Sequence, residues 1–231
     1  MYRRVFGQMS TEKIAACDVV HCDARKNIFV AAEKFVAVEI ALEIRLNGEF
    51  FRKIFCSPAD LEDLTVGILA QAGKISSAED VTRLKVRGSL IDVDVKNNLQ
   101  PAQIDSPAVK FRAKNILNCA DELLSELSTT HAKTNGVHGG ALFDGEKILL
   151  HREDIGRHNV FDKIHGAAIR EKIFLGDKMI VFSGRCSAEM IFKLARMKIP
   201  AVAAKSVPTT HAINLAKKYL NFLLREFLQI L

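Results

Sequence analysis

The 231-residue sequence has no tryptophan and only two tyrosines. Surfaces that stack nucleic-acid bases interleave aromatic with basic side chains, and no such stripe is present. Nucleic acid is therefore not an expected partner. No apolar run approaches the roughly 20 residues a membrane helix needs, so no membrane partner is expected either. The opening residues, Met1-Tyr2-Arg3-Arg4-Val5-Phe6, are basic with no apolar stretch behind them. A secretory signal is not expected, and a cytoplasmic location is. A C-x-x-C pair is also missing, the five cysteines being scattered at 17, 22, 56, 119 and 186. An odd, dispersed set argues against a disulfide framework. Cys17, His21 and Cys22 lie close together in the chain. Two thiols and one imidazole leave a tetrahedral set incomplete, and no matching pair follows at a zinc-like interval, so no metal held by the protein is expected. Internal repeats and low-complexity tracts are absent as well.

What remains is an ordinary globular composition with an excess of positive charge. A formal charge of +6 and a pI near 9.1 favour anionic partners. With nucleic acid set aside, that means an anionic small molecule.

Residues 1–27 have no clear period and read as an N-terminal arm. From Phe35 to Leu46 the apolar residues alternate (Val36, Val38, Ile40, Leu42, Ile44, Leu46), which predicts one long half-buried strand. Asn47-Gly48 is a hairpin turn, and Glu49–Phe55 returns as the partner strand. Ser57-Pro58-Ala59-Asp60 opens a helix, with Ser57 as its cap and Pro58 at the first helical position, and Gly73 closes it. Strands around Val81–Val86 and Leu90–Val95 complete a small α/β domain over 28–100. The polar stretch Lys96–Pro107 is the linker.

A second domain over 108–231 begins with a helix at Asn115–Leu127. Two strands follow, Val137–Phe143 and Lys147–His151, joined by Asp144-Gly145. The chain then alternates helix and strand, with strands at Met179–Phe182 and Pro200–Ala204 and helices at Ala188–Met197 and Thr209–Tyr219. Alternation of this kind predicts a partly parallel sheet covered by helices. The fold class is α/β.

Ligands of such sheets bind beyond the carboxyl ends of the strands, where three predicted loops converge: Glu153–Asn159, Ser183–Ser187 and Lys205–Thr210. The densest is H-R-E-D-I-G-R-H-N-V-F-D-K (151–163), in which Glu153 and Asp154 precede the pair Arg157-His158 around Gly156. A carboxylate, a guanidinium and an imidazole together suit a polar ligand with acidic and basic groups. Two of the loops lead into helix N-termini, whose free N–H groups attract anions. Gly184 permits close backbone approach, and Arg185 and Lys205 add charge. Cys186, beside Arg185 at a helix start, sits where a thiol pKa falls and thiolate is favoured. A small residue needed against the sheet explains that position equally well. Cys119, inside an amphipathic helix, and Cys56, at a strand end, read as structural. His151, His165 and His211 read as structural or surface residues, and Asp162-Lys163 as flanking a helix face.

The charged motif, together with T-N-G-V-H-G-G-A-L (134–142), S-G-R-C-S-A-E-M (183–190), A-K-S-V-P-T-T (204–210), N-G (47–48) and S-P-A-D-L-E-D-L-T-V-G (57–67), resembles the FdhD family of formate dehydrogenase accessory sulfurtransferases. The resemblance runs from about Glu39 to Tyr219. It implies a cytoplasmic homodimer whose larger domain is a cytidine-deaminase-like α/β/α fold without the zinc ligands of deaminases. It implies sulfur taken as a persulfide from a cysteine desulfurase and passed to bis-molybdopterin guanine dinucleotide before that cofactor enters formate dehydrogenase. On this resemblance Ser183, Gly184 and Arg185 contact phosphate, and His138, Asp154, Arg157 and His158 line the pocket.

Three stretches depart from the family pattern. The C-G-x-C-G loop that bears the family's persulfide is replaced by Q-P-A-Q-I-D-S-P-A-V-K (100–110). Asn135 stands for the middle glycine of T-G-G-x-H. The usual Lys-Pro-Gly-Arg-like C-terminal segment gives way to L-L-R-E-F-L-Q-I-L. Two functions of different class follow. In one, sulfur transfer persists with Cys186, or else Cys119, as the carrier thiolate. In the other, a lapsed homologue binds a molybdopterin or guanine-nucleotide ligand, or a partner protein, without moving sulfur.

Overall fold

The computed structural model describes residues 12–96, 110–220 and 222–225. Most of the expected linker, and the whole stretch aligned with the family's cysteine loop except Lys110, lies outside the described residues.

Three sheets make up the described chain. Strands β1 (Ile14–Asp23) and β2 (Ile28–Ala37) form an antiparallel hairpin, so ten residues of the expected N-terminal arm are a strand. Its sequence shows no period because both faces are largely exposed, Val20, Phe29 and Phe35 among them. The predicted long strand 35–46 is in fact two. β2 ends at Ala37, and β3 (Ile40–Leu46) belongs to the next sheet. Alternation continues across the break, since it records which side is buried and not which sheet does the burying.

The four-stranded sheet has the order β4-β3-β6-β5, with β4 at Glu49–Cys56, β5 at Val81–Arg87 and β6 at Leu90–Val95. Asn47 and Gly48 turn the β3–β4 hairpin with φ of 52° and 86°, as the dipeptide predicts. Helix α1 (Leu61–Gln71) packs Leu64 and Ile68 against Leu42, Ile44, Ile91 and Val93 of this sheet. Gly73, with φ of 67°, follows its end as expected. Its start differs. Asp60, at φ 54°, is the residue before the helix, and Ser57 is not a cap, because its hydroxyl is used elsewhere.

The five-stranded sheet has the order β11-β10-β9-β7-β8 (Phe222–Arg225, Ala201–Ser206, Met179–Arg185, His138–Phe143, Ile148–Asp154). β9, β10 and β11 are parallel, and β7 runs antiparallel to both neighbours. Helices α4 (Arg157–Arg170), α5 (Ala188–Met197) and α6 (Thr210–Tyr219) bury one face by packing Phe161, Leu194 and Ala212 into a core with Phe182 of β9. Helix α2 (Ala113–Glu122), continued by a π turn to Leu127, covers the other through Ile116, Cys119 and Leu123 against Ala141, Phe143 and Val181. Short α3 (Thr129–Thr134) leads into β7. The result is a three-layer α/β/α arrangement.

The two larger sheets are joined through α1 and α4, which touch main chain to main chain. A Cβ on Gly67 would lie 1.8 Å from the Asp162 carbonyl oxygen, and one on Gly166 1.8 Å from that of Asp63. Asp63, buried at the crossing, accepts from Arg152 Nε and Nη2 at 2.9 and 2.7 Å and also from Arg170 of α4. Ten of the 14 α4 residues are buried, including Asp162 and Lys163, which the sequence reading put on a flank. An acid next to a base on a helix looks like a solvated face, but here Asp162 lies against α1 and pairs with Lys193 of α5, while Lys163 turns inward to Asp154. Gly67→Ala or Gly166→Ala should each cost roughly 3 kcal/mol or more, since overpacking at main chain has no side chain to yield. Urea unfolding of each variant measures it, and a loss under about 1 kcal/mol would refute the close crossing.

Candidate functional site

The carboxyl ends of β8, β9 and β10 and the start of β7 share one edge. His138 pairs with Asp154 across β7 and β8, and Arg185 of β9 with Ser206 of β10. The expected loops are therefore shorter than the sequence suggests: Glu153-Asp154, Ser183–Arg185 and Lys205-Ser206 all extend strands. Polar residues at strand ends read as loop because the pairing partner that makes them strand is distant in sequence.

His138 is half-buried, its ring 5.9 Å from that of Phe182. A Cβ on Gly184 would sit 2.8 Å from Phe182 and 3.0 Å from His138 Nδ1, so this glycine seats the imidazole. Burial, then Arg157 and His131, push the His138 pKa down. Ser183 Oγ accepts from Gly139 N at 2.9 Å, which ties β9 to β7 at this edge. α4 opens with Arg157-His158 and has no acid in its first turn, the reverse of the charge order that stabilises a helix start. An anion at this N-terminus would offset that arrangement. His158 Nε2 lies 3.1 Å from the exposed Glu189 carboxylate and 3.5 Å from Ser187 Oγ at the start of α5. Burial lowers its pKa, Glu189 opposes this, and Lys193 and Arg157 reinforce it. Arg185 is exposed. His138, Arg157, His158, Ser183, Gly184 and Arg185 thus gather at one edge: two guanidinium groups, two imidazoles and two helix N-termini.

Asp154 does not join them as a pocket wall. It is wholly buried, and every bond of its carboxylate is internal. Oδ2 meets Lys163 Nζ at 2.7 Å and accepts from Ser57 N at 3.1 Å, while Oδ1 accepts from Gly156 N and Asn159 Nδ2 at 2.8 Å each. Lys163, also fully buried, donates further to the Glu153 carbonyl at 3.0 Å. Removing one partner of such a pair leaves an uncompensated buried charge, a loss of about 3–5 kcal/mol. Ser57 Oγ accepts from Ile155 N, and Asn159 Nδ2 also donates to the Phe55 carbonyl. Asp154 is a positioning residue that ties the edge to the four-stranded sheet. Ser57, Asn159 and Lys163 are its partners. The motif contained the last two, but nothing local marked them as partners.

Cys186 departs most from expectation. It is fully buried in the core with Phe182 and Met190, and burial pushes its thiol up to about 12. Arg185 beside it faces solvent and supplies no offsetting charge. Cys119 and Cys56 are likewise buried and pushed up to about 12. Cys17 and Cys22 are exposed on β1. They lie on opposite faces of that strand, so with His21 they do not converge on a metal. Ellman's reagent at pH 8 should therefore label Cys17 and Cys22 in the native chain. The thiolate fraction alone should slow the three buried thiols by roughly a thousandfold. Rapid native labelling of Cys186 would contradict its burial.

The FdhD/NarQ family profile matches residues 37–105 and 91–224. A "Sulfur carrier protein FdhD" from Geobacillus kaustophilus is 36% identical, across 83% of this chain and 84% of its own. Another, from Staphylococcus aureus, is 31% identical across 82% of each. A crystal structure from Desulfotalea psychrophila, assigned as a formate dehydrogenase accessory protein, is similar in fold. Its TM-score is 0.79 at 24% identity, over 93% of this chain and 92% of that one. Since the matches span both larger sheets and the whole carboxyl edge, the chain belongs to the FdhD/NarQ family.

Proposed function

We propose that this chain is a formate dehydrogenase accessory protein of the FdhD type. It takes sulfur from a cysteine desulfurase and passes it to bis-molybdopterin guanine dinucleotide before that substrate enters formate dehydrogenase. The observation that carries the reading is the cluster of His138, Arg157, His158 and Arg185 at the helix N-termini of α4 and α5, in a chain 36% identical to a sulfur carrier. Two guanidinium groups and unpaired helix N–H groups suit the phosphates of a dinucleotide. Imidazoles whose pKa values are lowered are neutral at pH 7 and can donate to or accept from a heterocycle. Asp154 fixes the start of α4, so this donor set is ordered before the ligand arrives. A cytoplasmic homodimer with a deaminase-like larger domain belongs to the same proposal.

Sulfur transfer needs a thiolate that attacks the outer sulfur of the desulfurase persulfide. A new S–S bond forms as the desulfurase cysteine leaves as thiolate. At the carboxyl edge that thiol is Cys186, and its burial means that Arg185–Ser187 must open before it reacts. Cys119, on the other side of the sheet, is the second candidate.

The decisive experiment incubates the chain with a cysteine desulfurase and cysteine, then maps adducts by mass spectrometry. A reducible 32-dalton gain (~32, one sulfur atom) on Cys186, lost in Cys186→Ser, is the expected result. No adduct on any thiol would leave ligand binding without sulfur transfer. The ligand half is tested by thermal unfolding with GDP. At a hundredfold excess over Kd the folded state should gain about 2.7 kcal/mol. Arg185→Ala should reduce that gain, and a GDP response unchanged by the substitution would count against the edge as the phosphate site.

A further inference from the structure

A cleft of about 480 Å³ opens at the opposite edge of the five-stranded sheet, between the C-terminal ends of α1, α4 and α5. Its volume lies within the roughly 300–1,000 Å³ of small-ligand sites, and it straddles the two larger sheets, a common setting for such sites. The walls are apolar: Ala70, Ile75, Ile169, Phe174 and Met197. Lys172, Arg196 and Lys198 line it against a single acid, Glu79. Lys172 and Glu79 pair at 2.6 Å, and Arg196 donates to the neutral Gln71 carbonyl, so its positive charge is not matched by an acid of the lining.

One buried polar side chain is aimed into this space. His165 is 8% exposed and lines the cleft. Its Nδ1 lies 3.3 Å from Gln71 Nε2, and the same amide nitrogen is 3.2 Å from the Lys193 carbonyl oxygen. A carbonyl only accepts, so the atom facing it is the amide N–H, and His165 Nδ1 must accept in turn. The ring proton of the neutral imidazole therefore sits on Nε2, which has no hydrogen-bond partner among the described residues. Burial pushes the pKa down to about 4, which keeps the ring neutral at pH 7. The cleft therefore offers one N–H donor at depth, apolar walls and a cationic rim. A phosphate dianion would lose too much hydration against such walls, whereas a hydrocarbon with one carboxylate matches all three features.

We propose that this cleft binds a small apolar monocarboxylate. Its carboxylate accepts from His165 Nε2 and faces Arg196, and its hydrocarbon lies on Ile169, Phe174 and Met197. This site is independent of the sulfur-carrier reading, since it shares no residue with the carboxyl edge.

The test titrates the full chain with sodium octanoate by calorimetry, with octan-1-ol and sodium acetate as controls. Octanoate should saturate and raise Tm, and both controls should bind at least several-fold more weakly. His165→Phe should weaken octanoate roughly tenfold or more, the loss expected for a hydrogen bond to a charged group. Lys172→Glu changes a side chain that is 72% exposed, so folding is not at stake, and it should also weaken binding. Failure of octanoate to saturate would overturn the proposal. So would equal binding of octanol and octanoate, or a Lys172→Glu chain that binds as the parent does.

Discussion

The crossing of α1 and α4 is the joint on which the two larger sheets of this molecule are set against each other. The two helices meet at Gly67 and Gly166 with carbonyl oxygens where side chains would otherwise stand. At that separation dispersion acts between main chains, and no rotamer entropy is lost. Asp63 then locks the rotation about the contact by bridging Arg152 on β8 and Arg170 on α4. Because α4 is held by its middle, its two ends are fixed in opposite directions. Its N-terminus faces the carboxyl edge of the sheet, and its C-terminus walls the cleft at the other edge.

Asp154 carries this rigidity into the chemistry. One carboxylate gathers Ser57 from the four-stranded sheet, the turn at Gly156, Asn159 and the buried Lys163. Neither Asp154 nor Lys163 exposes any surface to a ligand, yet the hub orders Arg157 and His158. The site is an edge of two guanidinium groups and two imidazoles, partly open to solvent and supported by a buried, hydrogen-bonded layer. Side chains that are already set when a ligand arrives lower the ordering cost of binding it.

Much of this was legible in the sequence. The Asn47-Gly48 turn, the stop at Gly73 and the strand–helix alternation after residue 179 are local signals, and local signals survive translation into structure. Arg157, His158 and Arg185 could be brought together because helix starts after parallel strands share an edge, whereas His138, at the start of a strand, joined them only through the family resemblance. Contacts between residues distant in the chain were not legible. Ser57 looked like a helix cap and is instead a partner of residues 97 and 98 positions away. Asp154 looked like a ligand group, because a charged residue in a charged motif gives no sign that it will be wholly buried. Cys186 looked activated on the strength of its neighbours in sequence, whereas desolvation is set by the core above it. The hairpin of β1 and β2 was missed because a ribbon exposed on both faces leaves no hydrophobic period.

The distribution of the thiols also decides how the folded chain meets an oxidant. Cys17 and Cys22 stand on opposite faces of one strand, about 17 Å apart at the strand's rise per residue, so they cannot bridge each other. Each of the other three is enclosed in a core. No two thiols of the native fold are therefore placed to bridge one another, and an oxidant in solution reaches only the two on the hairpin.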